Sequence, residues 1–309
     1  MGYRDICEAY IIPHLGRIRL QALDRDDVDR LYDTLEENGG RRGKGLAPTT
    51  IANIHGVLHK ALADAVKRGK VGRNVADAVD APSPVKAEAT VWTVAQLRQF
   101  LTHVRSDALY AAWLLFATTG MRRGEVAGLV RSDLALDESR LRIDWTLGCV
   151  NGKPTWKPRP KSKAGERTMS LDPATVEALR EHLAGQASQR LQIGPKWERR
   201  QHDWQGLYRE DLVFTWPDGR LINPERFTTW FEARRRETAL PRIRLHDVRH
   251  TYATTGLANA TGWHEVKVIS QRLGHKSVGF TIDTYAHVLP AADEEVACTL
   301  ARLILGEAS

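Results

Sequence analysis

Apolar residues along the first 80 positions recur every three or four residues, the spacing that aligns side chains on one face of an α-helix. Asp24 is suited to cap one such helix, because its carboxylate can accept hydrogen bonds from the free backbone N–H groups of the first turn. Two stretches carry the repeat: Val28, Leu31, Tyr32 and Leu35, and then, after Pro48-Thr49-Thr50, Ile51, Ile54, Val57, Leu58, Ala61, Leu62, Ala65 and Val66. The pattern predicts a small helical domain.

The repeat stops near residue 80. Residues 81–90 read APSPVKAEAT, with two prolines and no apolar periodicity, which is typical of a linker. We therefore predict a helical domain over residues 1–82, a linker over 83–90 and a second domain over 91–309.

The second domain begins with helical patterns. Thr93 is suited to cap a first helix, and a more buried helix over residues 108–118 ends at Gly120. Residues 134–171 contain the alternating stretches LRIDWTL and RTMSL, separated by Asn151-Gly152, which predicts a small antiparallel sheet with a basic hairpin.

The pattern after residue 171 is mostly helical. Asp172-Pro173 is a typical helix start, and helical spacing continues to Leu305, interrupted by a short apolar stretch near residues 212–215 that we predict to be a strand. No internal repeat is visible. The predicted fold class is mainly α with a small antiparallel sheet, an α+β protein.

Charge is distributed unevenly along this chain of 309 residues with a net charge of +7. Residues 1–37 hold five basic and nine acidic side chains, whereas 38–75 hold eight basic residues against Asp64 alone. Residues 151–167 hold six basic residues against Glu166. A single such cluster is usually a solvated helix face. Several separated clusters instead indicate a basic surface that contacts the phosphates of a nucleic acid backbone. The residues predicted to contact DNA are Arg41, Arg42, Lys44, Lys60, Lys67 and Arg68.

Composition excludes several other classes of protein. Cys7, Cys149 and Cys298 are far apart and odd in number, which favours neither a disulfide framework nor a zinc site. No apolar run approaches the roughly 20 residues that span a bilayer. Neither a membrane partner nor a signal peptide is expected, and we expect the protein to act in the cytoplasm.

The candidate chemistry lies in two segments of the second domain, HDVRHTY at 246–252 and LGHKSVGFTIDTY at 273–285. An HxxR pair alone is uninformative, but its order and spacing relative to other residues are informative. In chain order the set is Arg122 in TTGMRRGEVAGL, a lysine in PKSKAGERTMSL, His246 and Arg249, His275, and Tyr285 ten residues later.

This ordered set resembles the catalytic domain of the tyrosine recombinases, the phage integrase family. The motifs cover residues 91 to about 290, and residues 1–80 resemble more loosely the helical core-binding domain of such integrases. The resemblance implies a site-specific DNA recombinase that integrates and excises a phage or mobile element. It also implies a C-shaped clamp around duplex DNA. The residues it implies as catalytic are Arg122, Lys161, His246, Arg249, His275 and Tyr285.

These residue types suit attack on a phosphodiester. Arg122 and Arg249 are permanently charged and can hold the non-bridging oxygens, on which negative charge grows during attack. A phenol such as that of Tyr285 has a pKa near 10 and needs positive charge or a base nearby. The departing 5′ oxygen needs a proton, for which Lys161 is the candidate donor.

Alternatives remain at several positions. Arg122 and Glu125 have the spacing of an ordinary helical ion pair. Lys163 competes with Lys161, because residues two positions apart share one face of a strand. His250 is either structural or in a supporting role, and Tyr252 is interpreted as a packing residue.

The resemblance also implies partners. Double-stranded DNA is the substrate, four copies assemble in the synapse, and accessory DNA-bending or directionality factors are possible; no metal or nucleotide cofactor is expected. Residues 293–305 are predicted to form an acidic tail helix that docks on a neighbouring subunit or on its own domain. Because the chain begins within EAYIIPHLGRIRLQALD, we expect no arm-binding domain.

The same chemistry has other uses. A Xer-type resolvase and a type IB topoisomerase-like enzyme remain alternatives, as does a DNA-binding module that keeps the fold without the activity. The full set of six candidate residues argues against the last of these.

Overall fold

The protein is described by a computed structural model that covers residues 2–40, 43–82, 90–150, 152–158 and 166–285. The chain divides into two compact units between Glu88 and Ala89. Most of the segment predicted as a linker, and all of the predicted tail helix at 293–305, lie outside the described residues.

The first unit is helical, as its apolar repeat predicts. Its helices are α1 (Tyr3–Ile6), α2 (Ile12–Leu15), α3 (Arg25–Asn38) and α4 (Pro48–Lys67), with a π-helical stretch at Cys7–Ile11 and a 3-10 turn at Val75–Ala78. Asp24 caps α3 as expected, since its Oδ1 accepts a hydrogen bond of 2.9 Å from the backbone N–H of Asp27. Leu31 of α3 and Ile54 of α4 are buried in one hydrophobic core.

The helices of the second unit surround a larger core. They are α5 (Val94–His103), α6 (Tyr110–Thr119), α7 (Arg123–Ala127), α8 (Pro173–Ile193), α9 (Glu225–Arg236), α10 (Leu245–Ala258), α11 (Trp263–Leu273) and α12 (Val278–Tyr285). Thr93 caps α5 and Asp172 caps α8, and α6 is buried along most of its length; all three features are predicted correctly. Trp113 of α6 packs against Phe227 and Phe231 of α9.

The strands are short and antiparallel. They are β1 (Leu134–Ala135), β2 (Arg140–Ile143), β3 (Trp145–Val150), β4 (Lys153–Pro158), β5 (Arg167–Ser170), β6 (Arg200–His202) and β7 (Tyr208–Glu210). Residues 134–171 form a small antiparallel sheet and a hairpin, as predicted: β2 lies between β1 and β5, while β3 and β4 form a separate hairpin. Leu141 of β2 faces Met169 of β5, and both side chains are buried.

The described part of the chain after residue 171 is mostly helical, as predicted, although it also includes the β6–β7 hairpin. One prediction for this region is wrong. The expected strand near 212–215 is absent, and only isolated bridges join Leu212 to Val130 and Thr215 to Leu221. Leu212 is fully surrounded by the core, so the apolar run reflects burial and not sheet pairing. No helix among the described residues combines the length and apolar character needed to cross a membrane.

Candidate active site

The site is centred on Arg249 in the first half of α10. Arg249 is 4% exposed and donates hydrogen bonds from Nη1 to the carbonyl of Gly120 (2.7 Å) and from Nη2 to the carbonyl of Leu273 (2.5 Å). These carbonyls lie at the C-terminal ends of α6 and α11, where helix carbonyls lack intrahelical partners and carry partial negative charge. One guanidinium therefore joins three helices.

Arg122 lies next to it at the N-terminus of α7. Its Nη2 donates to the carbonyl of Gly274 (3.2 Å) and its Nη1 donates to Oε1 of Glu125 (3.0 Å). The side chain is 40% exposed, so part of this guanidinium faces solvent. The ion pair with Glu125 and a catalytic role are therefore compatible, because the pair fixes the orientation of Arg122 while leaving it accessible.

Arg167 on β5 completes the cationic cluster. Its Nη1 and Nη2 donate to the two oxygens of Glu125 at 3.1 and 2.8 Å, and its Nε donates to the carbonyl of Arg272 at 2.7 Å. Burial raises the pKa of Glu125, but Arg167 and Arg122 outweigh this effect and hold the pKa below its usual value. Glu125 is therefore an anion that separates and orients two arginines.

The sequence predicts Arg167 only as part of a basic segment. A usable signal was present, since side chains of a strand alternate between faces and Arg167 shares its face with the buried Met169. A charged residue in register with the core-facing positions of a strand indicates a buried ion pair.

Gly274 allows the arginines to approach the end of α11. It has a φ of 63°, in the left-handed region where glycine is favoured. A Cβ at this position would lie 2.7 Å from Nη1 of Arg167 and 3.3 Å from Nη1 of Arg122. The glycine of the LGH segment is thus required both by the backbone conformation and by the space that the guanidinium groups occupy.

His275 follows this turn directly. Its Nδ1 lies 2.7 Å from Oγ1 of Thr281, which in turn donates to Oγ of Ser270 at 2.8 Å. Burial lowers the pKa of His275 to about 4, and the positive charges of Arg249 and Arg122 act in the same direction. The ring is held by α12 on one side and is electrostatically coupled to the arginine cluster.

Tyr285 is the last residue of α12 and is 3% exposed. Its hydroxyl lies 2.8 Å from Nδ1 of His250, one turn after His246 on α10. Burial raises the pKa of Tyr285, whereas the charge of Arg249 acts in the opposite direction. The phenol is therefore neutral at pH 7 and lies within the field of the arginine cluster.

The remaining histidine of the set, His246, packs edge to face on His250 with ring centroids 5.1 Å apart. Burial lowers the pKa of His246 to about 4, helped by His250 and Arg249. His250 was left open between a structural and a supporting role. The i, i+4 spacing to His246 places both rings on one face of α10, and α12 brings the hydroxyl of Tyr285 to His250 on that face.

The cluster carries a concentrated positive charge. Burial lowers the pKa of Arg249 to about 9, and the neighbouring charge of Arg122 adds to this effect. Buried like charges are unfavourable unless carbonyls and anions compensate them, and here the carbonyls of Gly120, Leu273 and Gly274 do so together with Glu125. Such an arrangement is suited to receive an anion.

Five of the six predicted catalytic residues therefore lie in one cluster. Arg122, Arg249 and His275 meet at the turn of residues 273–275. Tyr285 and His246 both contact His250, the residue after Arg249. The sixth, Lys161, and its alternative Lys163 lie outside the described residues. The strands flanking that segment are described, β4 ending at Pro158 and β5 beginning at Arg167. A cleft of about 390 Å³ runs between β5 and the end of α11 and is lined by Arg167, Arg272 and His275.

The predicted DNA contacts of the first unit are described in part. Lys44, Lys67 and Arg68 are exposed, and Lys60 is exposed with its Nζ 3.7 Å from Oδ2 of Asp64. Arg41 and Arg42 lie outside the described residues. Among the residues with described positions there is no group of three or more His, Cys, Asp or Glu side chains placed to hold a metal ion.

The comparisons show the class of protein, a tyrosine recombinase, which is an enzyme that cuts and rejoins DNA. A model of the Phage integrase family matches residues 91–292, and the chain belongs to that family. It is 23% identical over 306 residues to a tyrosine recombinase XerC-like protein of Caldanaerobacter subterraneus subsp. tengcongensis, an alignment that covers 93% of this chain and 73% of that protein. It is 26% identical to the ICEBs1 integrase of Bacillus subtilis, over 84% of this chain and 67% of that protein.

Solved structures agree on the fold. The Tn1549 transposon integrase in complex with a circular intermediate DNA superposes with a TM-score of 0.72 at 21% identity, covering 96% of this chain and 99% of that one. A lambda integrase tetramer bound to a Holliday junction gives a TM-score of 0.58 at 16% identity, covering 89% and 70%. The predicted fold class and family are confirmed.

Proposed function

We propose that this chain is the recombinase of a phage or mobile element and that Tyr285 is its nucleophile. The observation that carries the proposal is the position of the Tyr285 hydroxyl, which lies beside α10 in the same cluster as Arg249, Arg122 and His275. A buried phenol among fixed cations is suited to attack an anionic phosphodiester.

The proposed reaction is a transesterification. Arg122 and Arg249 hold the non-bridging oxygens of the scissile phosphate, and His275 and His246 contribute further polar contacts. The oxygen of Tyr285 bonds to phosphorus as the bond to the 5′ oxygen breaks, and Lys161 supplies the proton that the departing oxygen takes up. The products are a 3′-phosphotyrosyl enzyme and a free 5′-hydroxyl, and the reverse reaction rejoins a strand.

The proposed substrate is double-stranded DNA, and the proposed working assembly is a tetramer of this chain with two recombining sites. The exposed cations Lys44, Lys67 and Arg68, with Lys60 and the undescribed Arg41 and Arg42, are proposed to contact backbone phosphates. The tetrameric lambda integrase on a Holliday junction supports this assembly. Action in the cytoplasm on nucleoid DNA, with accessory DNA-bending or directionality factors, completes the proposal.

The test is covalent trapping on a pool of duplexes with a randomised core and a nick in one strand. A short fragment released next to the nick diffuses away, so an attacking tyrosine stays attached to DNA and the adduct survives denaturing electrophoresis. We expect the wild type to form adducts, with Tyr285 as the modified residue in peptide mass spectrometry. Sequencing of the trapped duplexes gives the preferred site.

The matched control is another tyrosine of the same region. Tyr252 on α10 accepts a hydrogen bond of 2.7 Å from Nε of Arg272, so Tyr252→Phe removes one hydroxyl close to the site. We expect Tyr285→Phe to abolish the adduct and Tyr252→Phe to retain it. An adduct in Tyr285→Phe would contradict the proposal. Relaxation of supercoiled plasmid without exchange between two selected sites would favour the topoisomerase-like alternative.

A further inference from the structure

His250 makes a contact that the assigned roles of the catalytic set do not use. Its Nδ1 lies 2.8 Å from the hydroxyl oxygen of Tyr285, with ring centroids 5.7 Å apart. Burial obliges the Tyr285 hydroxyl to find a hydrogen-bond partner, and the partner of this proposed reacting oxygen is a half-buried imidazole, a group that can also take up its proton. We propose that His250 is the catalytic base that takes the proton of Tyr285, an inference that rests on the proposed function of Tyr285.

The direction of the hydrogen bond follows from the two groups. A neutral imidazole carries one N–H and one lone pair, and a phenol readily donates its proton. Burial lowers the pKa of His250, and burial raises the pKa of Tyr285. The resting pair therefore has its proton on oxygen and the lone pair of Nδ1 directed at it, which is the starting arrangement for proton transfer.

The surroundings of His250 favour transfer at the moment of attack and not before it. The groups that act on the imidazole come from three helices. They are the N-cap residue Arg244 with His246, Asp247 and Arg249 of α10, Tyr285 of α12, and His275 at the end of α11. Arg244 and Arg249 oppose a positive charge on the ring, and Asp247 favours it, although Asp247 is engaged in bonds to Arg244. A bound phosphate adds negative charge beside this cluster, which stabilises the imidazolium.

The step balances in both directions. The O–H bond of Tyr285 breaks and an N–H bond forms at Nδ1 of His250, while the oxygen of Tyr285 bonds to phosphorus. The bond from phosphorus to the 5′ oxygen breaks, and that oxygen takes its proton from Lys161. In rejoining, the 5′-hydroxyl gives its proton back to the neutral amine of Lys161 as its oxygen bonds to phosphorus, the bond from phosphorus to the oxygen of Tyr285 breaks, and the His250 imidazolium returns its proton to the departing phenolate.

His246 is the competing base, and the geometry separates the two. His246 meets His250 edge to face, whereas the atom within hydrogen-bond distance of the Tyr285 hydroxyl belongs to His250. Both histidines have lowered pKa values, so basicity alone does not distinguish them. Position relative to the phenol does, since a general base must reach the proton it removes.

The test uses two nicked substrates with the sequence selected by the wild type. One has the natural 5′ oxygen at the cleavage position, and the other has sulfur there, a leaving group that departs without a proton. A variant without the base for Tyr285 should cleave both substrates slowly. A variant without the acid for the leaving group should cleave the oxygen substrate slowly and the sulfur substrate at nearly the wild-type rate. Lys161→Ala is the reference for the second behaviour.

His250→Gln is the informative variant, because the carboxamide oxygen can still accept a hydrogen bond from Tyr285 but cannot take its proton. We expect its cleavage rate to fall by about 10²–10⁴-fold on both substrates. We also expect the wild-type rate to fall toward acid pH, where the imidazole is protonated, and we expect this fall to be absent in the variant. His246→Gln should leave that dependence on pH in place. Thermal unfolding of the variants checks that they fold.

Three outcomes would overturn the inference. One is a His250→Gln rate within about threefold of wild type, well short of the loss expected for a missing base. Another is a deficit relieved by sulfur, which would place His250 at the leaving group, and the third is an unchanged pH profile. Failure of the wild type itself to form an adduct through Tyr285 would instead refute the proposed function, and this inference with it.

Discussion

Gly274 is the residue at which backbone conformation and chemistry depend most directly on each other. We predict that Gly274→Ala destabilises the protein by about 1–2 kcal/mol, because an L-residue is strained in the left-handed region. We also expect cleavage to fall more than tenfold, since the new methyl group would displace the guanidinium groups of Arg167 and Arg122. Urea unfolding and covalent trapping measure the two effects separately.

Gly206 provides the control for that substitution. It has a φ of 84°, and an added Cβ would meet nothing within 4 Å. Gly206→Ala should therefore show a similar loss of stability with cleavage unchanged. Equal losses of cleavage in the two variants would mean that backbone strain, and not the position of the arginines, is responsible.

His275 gives a prediction about pH. Its pKa is about 4 in the folded protein against an ordinary value of 6.5, so between these values the unfolded chain takes up a proton that the folded chain does not. Stability from this group is therefore present above pH 6.5 and is lost as pH falls toward 4. After allowance for solvent screening, the wild type should lose about 1 kcal/mol more than His275→Gln between pH 7.5 and 5. Urea unfolding of both proteins at both pH values measures this difference. Equal losses of unfolding free energy in the two proteins would contradict the prediction.

At this scale, sequence reasoning identified residue types better than residue partners. Arg122, Arg249, His275 and Tyr285 meet as their order along the chain predicts. The carbonyls that hold the arginines were not predictable, because contacts such as Arg249 to Gly120 join residues far apart in sequence. The contact of His250 depends on where α12 lies against α10, which no local pattern specifies.

Among the elements, the β6–β7 hairpin was missed, and its stability depends on one buried carboxylate. Asp203 accepts hydrogen bonds from the backbone N–H groups of Gln205 (2.8 Å) and Leu207 (3.0 Å) and from that of Trp156 on β4 (2.9 Å). Asp203→Ala leaves these donors without their partner, so we expect a loss of about 2–4 kcal/mol in urea unfolding.

Asp218 is the matched control for this prediction. It also accepts a backbone hydrogen bond, from Arg220 at 3.1 Å, but its side chain is 39% exposed and its ion pair with Arg220 is on the surface. Asp218→Ala should cost less than about 1 kcal/mol. A comparable loss for both substitutions would show that Asp203 has no special role in joining the hairpin to β4.

Elements with a local cause were predicted, and those without one were not. The starts of α3, α5 and α8 follow from Asp24, Thr93 and Asp172, whose side chains cap the helices that they precede. The β6–β7 strands are three residues each, too short to show alternation, and their pairing is fixed by contacts to β4.

At the scale of the whole molecule, the charge of the first unit predicts how DNA binding depends on salt. Removing one side chain that neutralises a phosphate should reduce the slope of log affinity against log salt concentration by about 1. We expect this change for Lys67→Ala and for Arg68→Ala on non-specific duplex DNA in fluorescence anisotropy. Lys196→Ala, an exposed lysine outside the predicted contact set, should leave the slope unchanged. If all three variants have the slope of the wild type, then Lys67 and Arg68 do not neutralise DNA phosphates.

Tyr285 lies against α10 of its own chain. This position predicts whether each copy in an assembly cuts DNA with its own tyrosine or with that of a neighbouring copy. Because the oxygen proposed to attack and the guanidinium groups come from the same copy, each copy should cut only the strand that its own arginines bind. A mixture of Tyr285→Phe and Arg249→Lys proteins should then be as inert as either protein alone, since neither copy can lend its intact part to the other. Recovery of cutting in the mixture would mean that Tyr285 of one copy acts in the active site of another. Its position beside His250 would then belong to the state before cleavage.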